Sequence, residues 1–202
     1  MDHQEIEDLT RAVLGRVFIE IEASGRHVHV TAEQAKSLFG HDLTPCRPLS
    51  QPGQYLAKER VTVLGPKGEF QNVAVLGPPR KEAQVEISLT DGKVLGITPP
   101  VRLSGDVADT PPITLLGSMG RVELKRGLLA AKRHIHLTPE DGEKFSVRDG
   151  QVVRLQVFTR RPVIFEDTVV RIDKDFAPAV HLDYDEANAC GFQKGDLGRI
   201  LP

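Results

Sequence analysis

The chain has 202 residues, of which 40% are hydrophobic and 27% are charged, and its formal net charge at pH 7 is -2. This balance is typical of globular proteins and gives no electrostatic reason to expect nucleic acid or an anionic membrane as a partner. No apolar run reaches the roughly 20 residues that span a bilayer, and the N-terminus lacks a secretory signal. Cys46 and Cys190 lie outside any CxxC spacing, which favours reduced thiols and a cytoplasmic location.

An amphipathic helix is predicted at the N-terminus, from about Gln4 to Val17. Its apolar residues recur at three- and four-residue steps: Ile6, Leu9, Val13, Leu14 and Val17. This spacing forms one apolar stripe along a helix. Two interpretations remain open. The helix packs against its own domain, or it is a detachable segment that docks on a partner protein.

Beyond Phe18 the sequence is typical of short strands joined by tight turns, because it contains 18 glycines, 14 prolines and few aromatic residues. Three hairpins are predicted from paired segments: 60–64 with 69–76, 113–116 with 121–124, and 152–157 with 163–170. Short helices are predicted after Thr31, Thr138 and Asp183. Threonine followed by proline, as at residues 138 and 139, is a favourable helix start.

The chain carries an internal repeat. SGRHVHVT, which begins at Ser24, recurs as AKRHIHLT, which begins at Ala131. Downstream, QVEIS from residue 84 aligns with AVHLD from residue 179, so that Glu86 corresponds to His181. Each half therefore offers an Arg-His-x-His-x-Thr motif and one further donor, which indicates two diverged copies of one unit.

Each histidine pair has the spacing of a metal site on a strand, because alternate side chains of an extended chain leave the same face. The repeat predicts two ions with three ligands each, namely His27, His29 and Glu86 for one and His134, His136 and His181 for the other. Three protein ligands and one open position are typical of a catalytic zinc site. The nitrogen-rich donor set favours zinc, although nickel, cobalt and iron also bind such sites.

Basic residues beside these motifs favour an anionic substrate. Arg26 and Arg133 precede the histidine pairs, and Arg80 and Lys81 precede the strand of Glu86. A guanidinium binds phosphate through paired hydrogen bonds and stays charged at any working pH. Arg80 is the strongest of these candidates, because it enters the ligand-bearing strand. Walker, GxGxxG and GxSxG motifs are absent from the sequence, so nothing supports nucleotide hydrolysis, a Rossmann site or a serine hydrolase.

Several colinear blocks from about Phe18 to the end resemble the PduL-type phosphate propanoyltransferases of bacterial microcompartments: SGRHVHVT, LSQPGQY, VTVLGPKGEFQNV, LGPPRKEAQVEIS, AKRHIHLTPED and HLDYDEANA. The resemblance implies a phosphotransacylase that catalyses acyl-CoA + phosphate ⇌ acyl phosphate + CoA, with propanoyl or acetyl as the acyl group. It implies two zinc ions in one site, held by the two ligand sets above. Coenzyme A, phosphate and acyl phosphate are the implied substrates, and the implied assembly is a homodimer.

The resemblance also implies roles for further residues. Arg80 matches the phosphate-contacting arginine of the family, while Ser24, Lys67 and Asn188 match positions that contact coenzyme A. The chain departs from the family at three places, which are Gly25, where asparagine is common, Ala74, where a basic residue is common, and Tyr184, where threonine is usual.

The implied fold is mainly β, with two closely packed β-barrels from the duplication, capped by short helices. The expected domains are the N-terminal helix at 1–17, a first barrel from 18–26 and 132–202 with an exchanged N-terminal strand, and a second barrel at 27–131. By the same resemblance, the helix would direct the enzyme to the interior of a microcompartment through its shell proteins.

Two alternative functions remain open. A metal-dependent hydrolase of acyl phosphates or thioesters would use the same two ions to activate water. A non-catalytic scaffold would use zinc to join the two barrels, and it would be favoured by closed sites with four protein ligands each.

Overall fold

A computed structural model describes the protein at residues 2–15 and 17–201. The described residues form five helices, which are α1 (His3–Leu14), α2 (Ala32–Phe39), α3 (Leu89–Leu95), α4 (Pro139–Phe145) and α5 (Tyr184–Cys190). Their strands are β1 (Ile19–Ser24), β2 (His27–His29), β3 (Pro45–Pro48), β4 (Tyr55–Leu64), β5 (Glu69–Gly77), β6 (Gln84–Ile87), β7 (Val101–Arg102), β8 (Ile113–Leu116), β9 (Arg121–Leu124), β10 (Leu128–Ala131), β11 (His134–Leu137), β12 (Val152–Phe158), β13 (Val163–Ile172), β14 (Ala179–Asp183) and β15 (Leu197–Leu201).

The chain divides into two compact units. The first unit comprises the described residues up to Ala23, then Arg133–Leu182 and the described residues from Glu186 onward. The second unit comprises Ser24–Lys132 and Asp183–Asp185.

The first unit contains a closed barrel with the strand order β1-β14-β11-β13-β12-β15. Strand β1 completes it by pairing antiparallel with β15, where Ile19 lies opposite Gly198. Successive side chains of a strand leave opposite faces, so alternate apolar residues fill the interior. Ile19 and Ile21 of β1 join Ile135 and Leu137 of β11 in this core.

The second unit contains a sheet with the order β7-β10-β6-β2-β5-β4-β8-β9, and β3 pairs with β4. Its core is rich in β-branched residues, among them Val28, Val75 and Val85, all of which are fully buried. Within the described residues this sheet forms a half-barrel rather than a closed barrel. The mainly β fold with barrel-like halves and short helices is confirmed.

The predicted hairpins are confirmed as the antiparallel pairs β4–β5, β8–β9 and β12–β13. The predicted short helices are α2, α4 and α5. Helix α3 is an additional one. Its N-cap is Ser88, whose hydroxyl accepts from the N–H of Asp91 while the Asp91 carboxylate accepts from the N–H of Ser88. This reciprocal cap was readable as Ser-x-x-Asp in the sequence.

Helix α1 ends three residues earlier than predicted. Gly15 follows it, and the N–H of Phe18 donates to the Leu14 carbonyl at 2.8 Å. Four residues of the predicted stripe are between 41% and 56% exposed, namely Ile6, Val13 and Leu14 of the helix and Val17 beyond its end. The side chain of Leu9 lies outside the described ones.

Two further expectations concern the thiols and the membrane. Cys46 and Cys190 are both free thiols, as the spacing favoured; the first is exposed and the second is buried. Among the helices at residues 2–15 and 17–201, none combines the length and apolar character needed to cross a membrane.

Candidate metal centres and active site

The second unit brings together three of the predicted ligands. Strands β2 and β6 pair antiparallel, with His27 opposite Glu86 and His29 opposite Gln84. Val28, between the two histidines, enters the core at 0% exposure, so both imidazoles leave the other face of the sheet. The donor atoms of His27, His29 and Glu86 all lie within 4.8 Å of one another, and all three residues are buried. We call these three residues the glutamate cluster.

Burial and charge act in opposite directions on this cluster. Burial lowers the pKa of His27, but the charge of Glu86 and its hydrogen bond outweigh it and raise that pKa above its ordinary value. Burial raises the pKa of Glu86, but the charge on His27 holds that pKa well below its ordinary value. Burial and the nearby charges of His27 and Arg80 lower the pKa of His29 well below its ordinary value. An ionised carboxylate and a neutral imidazole are the forms that bind metal.

Three observations fit an ion at the glutamate cluster. Nδ1 of His27 lies 2.8 Å from the Gly25 carbonyl oxygen, and the proton that it donates leaves the lone pair on Nε2. Nδ1 of His29 is buried with no hydrogen-bond partner among the described residues, a costly state for a polar atom. Nε2 of His27 lies 3.5 Å from Oε1 of Glu86, and two ligand atoms of one tetrahedral zinc are about 3.3–3.5 Å apart.

A hydrogen-bond network connects this cluster to Arg80. The Gln84 amide donates to Glu86 Oε1 and, at 3.0 Å, to the Ser104 hydroxyl. Arg80 donates to the same hydroxyl at 2.9 Å. Residues beyond the ligands orient them and set their basicity, so Gln84 and Ser104 couple the position of the arginine to that of the carboxylate.

The first unit repeats the arrangement with three imidazoles, which we call the histidine cluster. Strands β11 and β14 pair antiparallel, with His134 opposite His181 and His136 opposite Ala179. This is the register of the glutamate cluster. The donor atoms again lie within 4.8 Å of one another. Phe176 packs on His136 with 4.1 Å between ring centroids. All six predicted ligands therefore fall into the two groups expected, and their role as ligands stays a prediction.

The arginines that precede the histidine pairs have carboxylate partners within their own units. Arg26 donates to both carboxylate oxygens of Asp91, at 2.7 and 3.1 Å. Arg133 donates to Glu186 at 2.7 Å. These pairs link each histidine strand to the first turn of α3 or α5, which favours a positioning role over the anion contact suggested by the sequence. Arg80 lies close enough to the glutamate cluster to lower the pKa of His29. At the histidine cluster, Arg171 is in register with His136 and lies over the Phe176 ring.

The family model described as phosphate propanoyltransferase matches residues 20–193. The chain belongs to the phosphate propanoyltransferase family. The phosphate propanoyltransferase of Listeria monocytogenes is 54% identical over 198 residues, 97% of this chain and 93% of that protein. That of Clostridioides difficile is 52% identical over 198 residues, 97% of this chain and 95% of that protein. That of Thermotoga maritima is 48% identical over 201 residues, 98% and 94% of the two chains. The predicted resemblance is confirmed, and with it the expectation of an acyltransferase enzyme.

The residues that match coenzyme A contacts of the phosphate propanoyltransferases lie at the ends of elements or on exposed surface. Ser24 ends β1, and Lys67 is exposed in the turn between β4 and β5. The Lys67 side chain fills space beside Gly96, where an added Cβ would lie 2.5 Å from its Cγ. Asn188 is on the exposed face of α5. Their contacts with coenzyme A stay predictions.

Two departures from the family pattern are linked in space. An added Cβ at Gly25 would lie 2.5 Å from the Tyr184 hydroxyl oxygen. An asparagine at this position would therefore require the tyrosine ring to move. The absence of a side chain at Gly25 leaves the space that the Tyr184 ring occupies.

Sequence reasoning missed three residues beside the clusters. Gln84 lies two residues before Glu86 on the same strand, so alternation along β6 would have placed both on one face. Ser104 comes from the segment after β7, for which no pattern gives the position. Glu22 lies on β1, and its Oε2 is 3.3 Å from Nε2 of His181. The repeat gives no signal for it, because the corresponding residue of the other copy, Leu129, is apolar.

Proposed function

We propose that this protein transfers a short acyl group, propanoyl or acetyl, between coenzyme A and phosphate, with one zinc ion at each cluster. The reaction is acyl-CoA + phosphate ⇌ acyl phosphate + CoA. Family membership supports the acyl transfer. The observation that carries the site assignment is the buried glutamate cluster, held in one hydrogen-bond network with Arg80.

The proposed ligands are His27, His29 and Glu86 for one ion and His134, His136 and His181 for the other. A zinc ion with an open position supplies a Lewis acid that lowers the pKa of a bound thiol and polarises a carbonyl or phosphoryl oxygen.

The residues of the chain supply binding and orientation. Arg80 binds the phosphate oxygens through its guanidinium and offsets the negative charge that develops as phosphate or thiolate attacks the acyl carbon. The Ser104 hydroxyl, which accepts from Arg80 at 2.9 Å, limits the orientations of that side chain. Ser24, Lys67 and Asn188 bind coenzyme A in this proposal, with the lysine ammonium suited to its phosphates.

The decisive experiment separates a transferase from a hydrolase. Purified protein is incubated with propanoyl-CoA or acetyl-CoA, with and without phosphate, while free thiol and acyl phosphate are both measured. We expect thiol release to require phosphate and to equal the acyl phosphate formed. Equal thiol release without phosphate would establish the hydrolase instead. Treatment with a chelator, followed by zinc, should remove and then restore the activity.

We infer that α1 places the enzyme inside a bacterial microcompartment by docking on shell proteins. The exposed side chains of Ile6, Val13 and Leu14 support this interpretation. Deletion of residues 1–15 should leave the specific activity unchanged and abolish co-purification with shell proteins. A second variant keeps the helix and replaces Ile6 and Val13 by serine, which should give the same loss. Unchanged encapsulation in both variants would refute the inference.

Two further properties belong to this proposal. The protein is a homodimer, which sedimentation at micromolar concentration tests directly. The two domains correspond to residues 18–26 with 132–202 and to residues 27–131, bounds that differ from the compact units of the structure, which divide after Ala23 and place Asp183–Asp185 in the second unit. Limited proteolysis between these segments should release the predicted pieces under denaturing conditions.

A further inference from the structure

The two copies of the repeat align without a gap upstream of their histidine pairs, so residue 22 corresponds to residue 129 just as His27 corresponds to His134. In the second unit, β10 lies parallel to β6, and Leu129 is in register with Glu86. In the first unit, β1 takes the equivalent place beside β14, the strand of His181. The residue that corresponds to Leu129 is there a glutamate, Glu22.

The carboxylate of Glu22 is on the same face of the barrel as the imidazoles. Ile19 and Ile21 point into the core from β1, and Ile135 does so from β11. Because side chains alternate along a strand, Glu22 leaves the outer face, as His134 does. The three strands β1, β14 and β11 are neighbours, so they present Glu22, His181 and His134 side by side.

Glu22 contacts one member of the histidine cluster, His181, at the distance of two ligands on one ion, while the group of donor atoms that all lie within 4.8 Å of one another consists of the three imidazoles. Oε2 of Glu22 lies 3.3 Å from Nε2 of His181. That nitrogen is buried and makes no hydrogen bond to any described residue, so the two atoms approach without hydrogen-bond geometry. Ligand atoms of one tetrahedral zinc are about 3.3–3.5 Å apart. The separation between His27 and Glu86 in the other cluster, 3.5 Å, falls in the same range.

We propose that Glu22 is a fourth protein ligand of the ion at the histidine cluster. This inference rests on the proposal that the cluster binds a metal. Each ion then has one carboxylate ligand. In the second unit this is Glu86, which corresponds to His181, and in the first unit it is Glu22 on β1, the strand next to that of His181. Four protein ligands fill a tetrahedral ion, whereas three leave an open position.

The test isolates one site. In a His27→Ala background, which disables the glutamate cluster, one ion per chain should remain. Zinc affinity is measured by competition with a chelator, and the visible spectrum of the cobalt-substituted protein reports the ligand set. Glu22→Gln keeps the size of the side chain, and Glu22→Leu introduces the residue that the second unit has at this place. Both should weaken zinc binding by at least about 10- to 100-fold and alter the cobalt spectrum.

The matched control is Glu20→Gln, which removes the same charge from the same strand and face two residues away and should change neither measurement. Zinc affinity and a cobalt spectrum unchanged by Glu22→Gln, in a protein that still holds one ion, would overturn the inference and leave the proposed function intact. A His27→Ala protein that binds no ion at all would overturn metal binding at the histidine cluster, and the inference with it.

Discussion

The two clusters share one backbone frame and differ in what surrounds it. In both, an antiparallel strand places the third donor opposite the first histidine. Around the glutamate cluster, Gln84 and Ser104 form hydrogen bonds that reach Arg80. Around the histidine cluster, Ala179 replaces the glutamine, and Phe176 packs on an imidazole. The duplicated units thus share the strand pairing that positions the donor residues. They differ in the neighbouring residues, which affect the charge and the accessibility of each cluster.

The two units also differ in the charge of the side chain at one pair of corresponding positions. Asn72 and Asp167 occupy corresponding left-handed positions, with φ of 56° and 54°, and a gapless count from them places Asp175 where the second unit has Arg80. An arginine attracts a phosphate and an aspartate repels it. This contrast supports the proposed role of Arg80 as the anion contact.

The largest expected effect is the loss of a metal ligand. His29→Ala should remove the ion of the glutamate cluster and reduce kcat/KM on the order of 10³-fold, because a catalytic ion contributes several kcal/mol to transition-state stabilisation. His134→Ala should remove the other ion. Elemental analysis and kinetics measure both effects.

The control for these substitutions is His41→Ala, an exposed histidine outside both clusters, which should keep both ions. A full metal complement in His29→Ala or His134→Ala would show that the corresponding cluster is not a metal site.

The next largest effect is expected from removing the positive charge of Arg80 beside the glutamate cluster. Arg80→Ala should lower turnover on the order of 10²–10³-fold, as for other lost donors to a developing charge, with a raised KM for phosphate. Lys81→Ala, which removes an exposed neighbouring charge, should have little effect. Near-normal turnover of propanoyl or acetyl phosphate by Arg80→Ala would remove this arginine from the mechanism.

The two residue clusters were predictable because the repeat encodes them. Alternation on a strand pairs His27 with His29, and the alignment of Glu86 with His181 anticipates the register that both units adopt. The ion pairs of Arg26 and Arg133 were not predicted, because each depends on a helix far along the chain.

Other features of the structure could not be predicted from the local sequence. Ser104 reaches the network from an irregular segment, so only the tertiary fold brings it near Gln84. The open edge of the half-barrel depends on strand pairing over long separations, which periodicity does not specify. The end of α1 at Leu14, by contrast, was readable from Gly15, since glycine commonly ends helices.

A smaller effect is expected from Gln84, which donates a hydrogen bond to Glu86. Gln84→Ala gives the second unit the residue that the first unit has at this place, Ala179. It removes the hydrogen bond to Glu86 and should weaken zinc binding at the glutamate cluster by about 10- to 100-fold. Chelator competition in a His134→Ala background measures it. Gln71→Ala, at an exposed glutamine of β5, is the control. Unchanged affinity would mean that the glutamine does not support the metal site.

The smallest effect compares two helix starts. The hydroxyl of Thr31 accepts from Gln34 N–H at 3.2 Å, and that of Thr138 accepts from Asp141 N–H at 3.1 Å. Thr31→Ala and Thr138→Ala should each lower the free energy of unfolding by about 0.5–2 kcal/mol. Urea unfolding followed by far-ultraviolet circular dichroism measures this, because the chain has no tryptophan and two tyrosines.

Threonine-to-serine substitution at each start keeps the accepting oxygen and should restore most of the stability. The two costs need not be equal, because the Thr138 hydroxyl also donates to the Asp141 carboxylate at 2.7 Å, a charge-assisted bond of the stronger kind. A larger loss of unfolding free energy in Thr138→Ala would therefore show that the two copies differ in the strength of this cap as well as in the residues around their clusters. No cost at either threonine would mean that the shared cap sequence contributes nothing to stability.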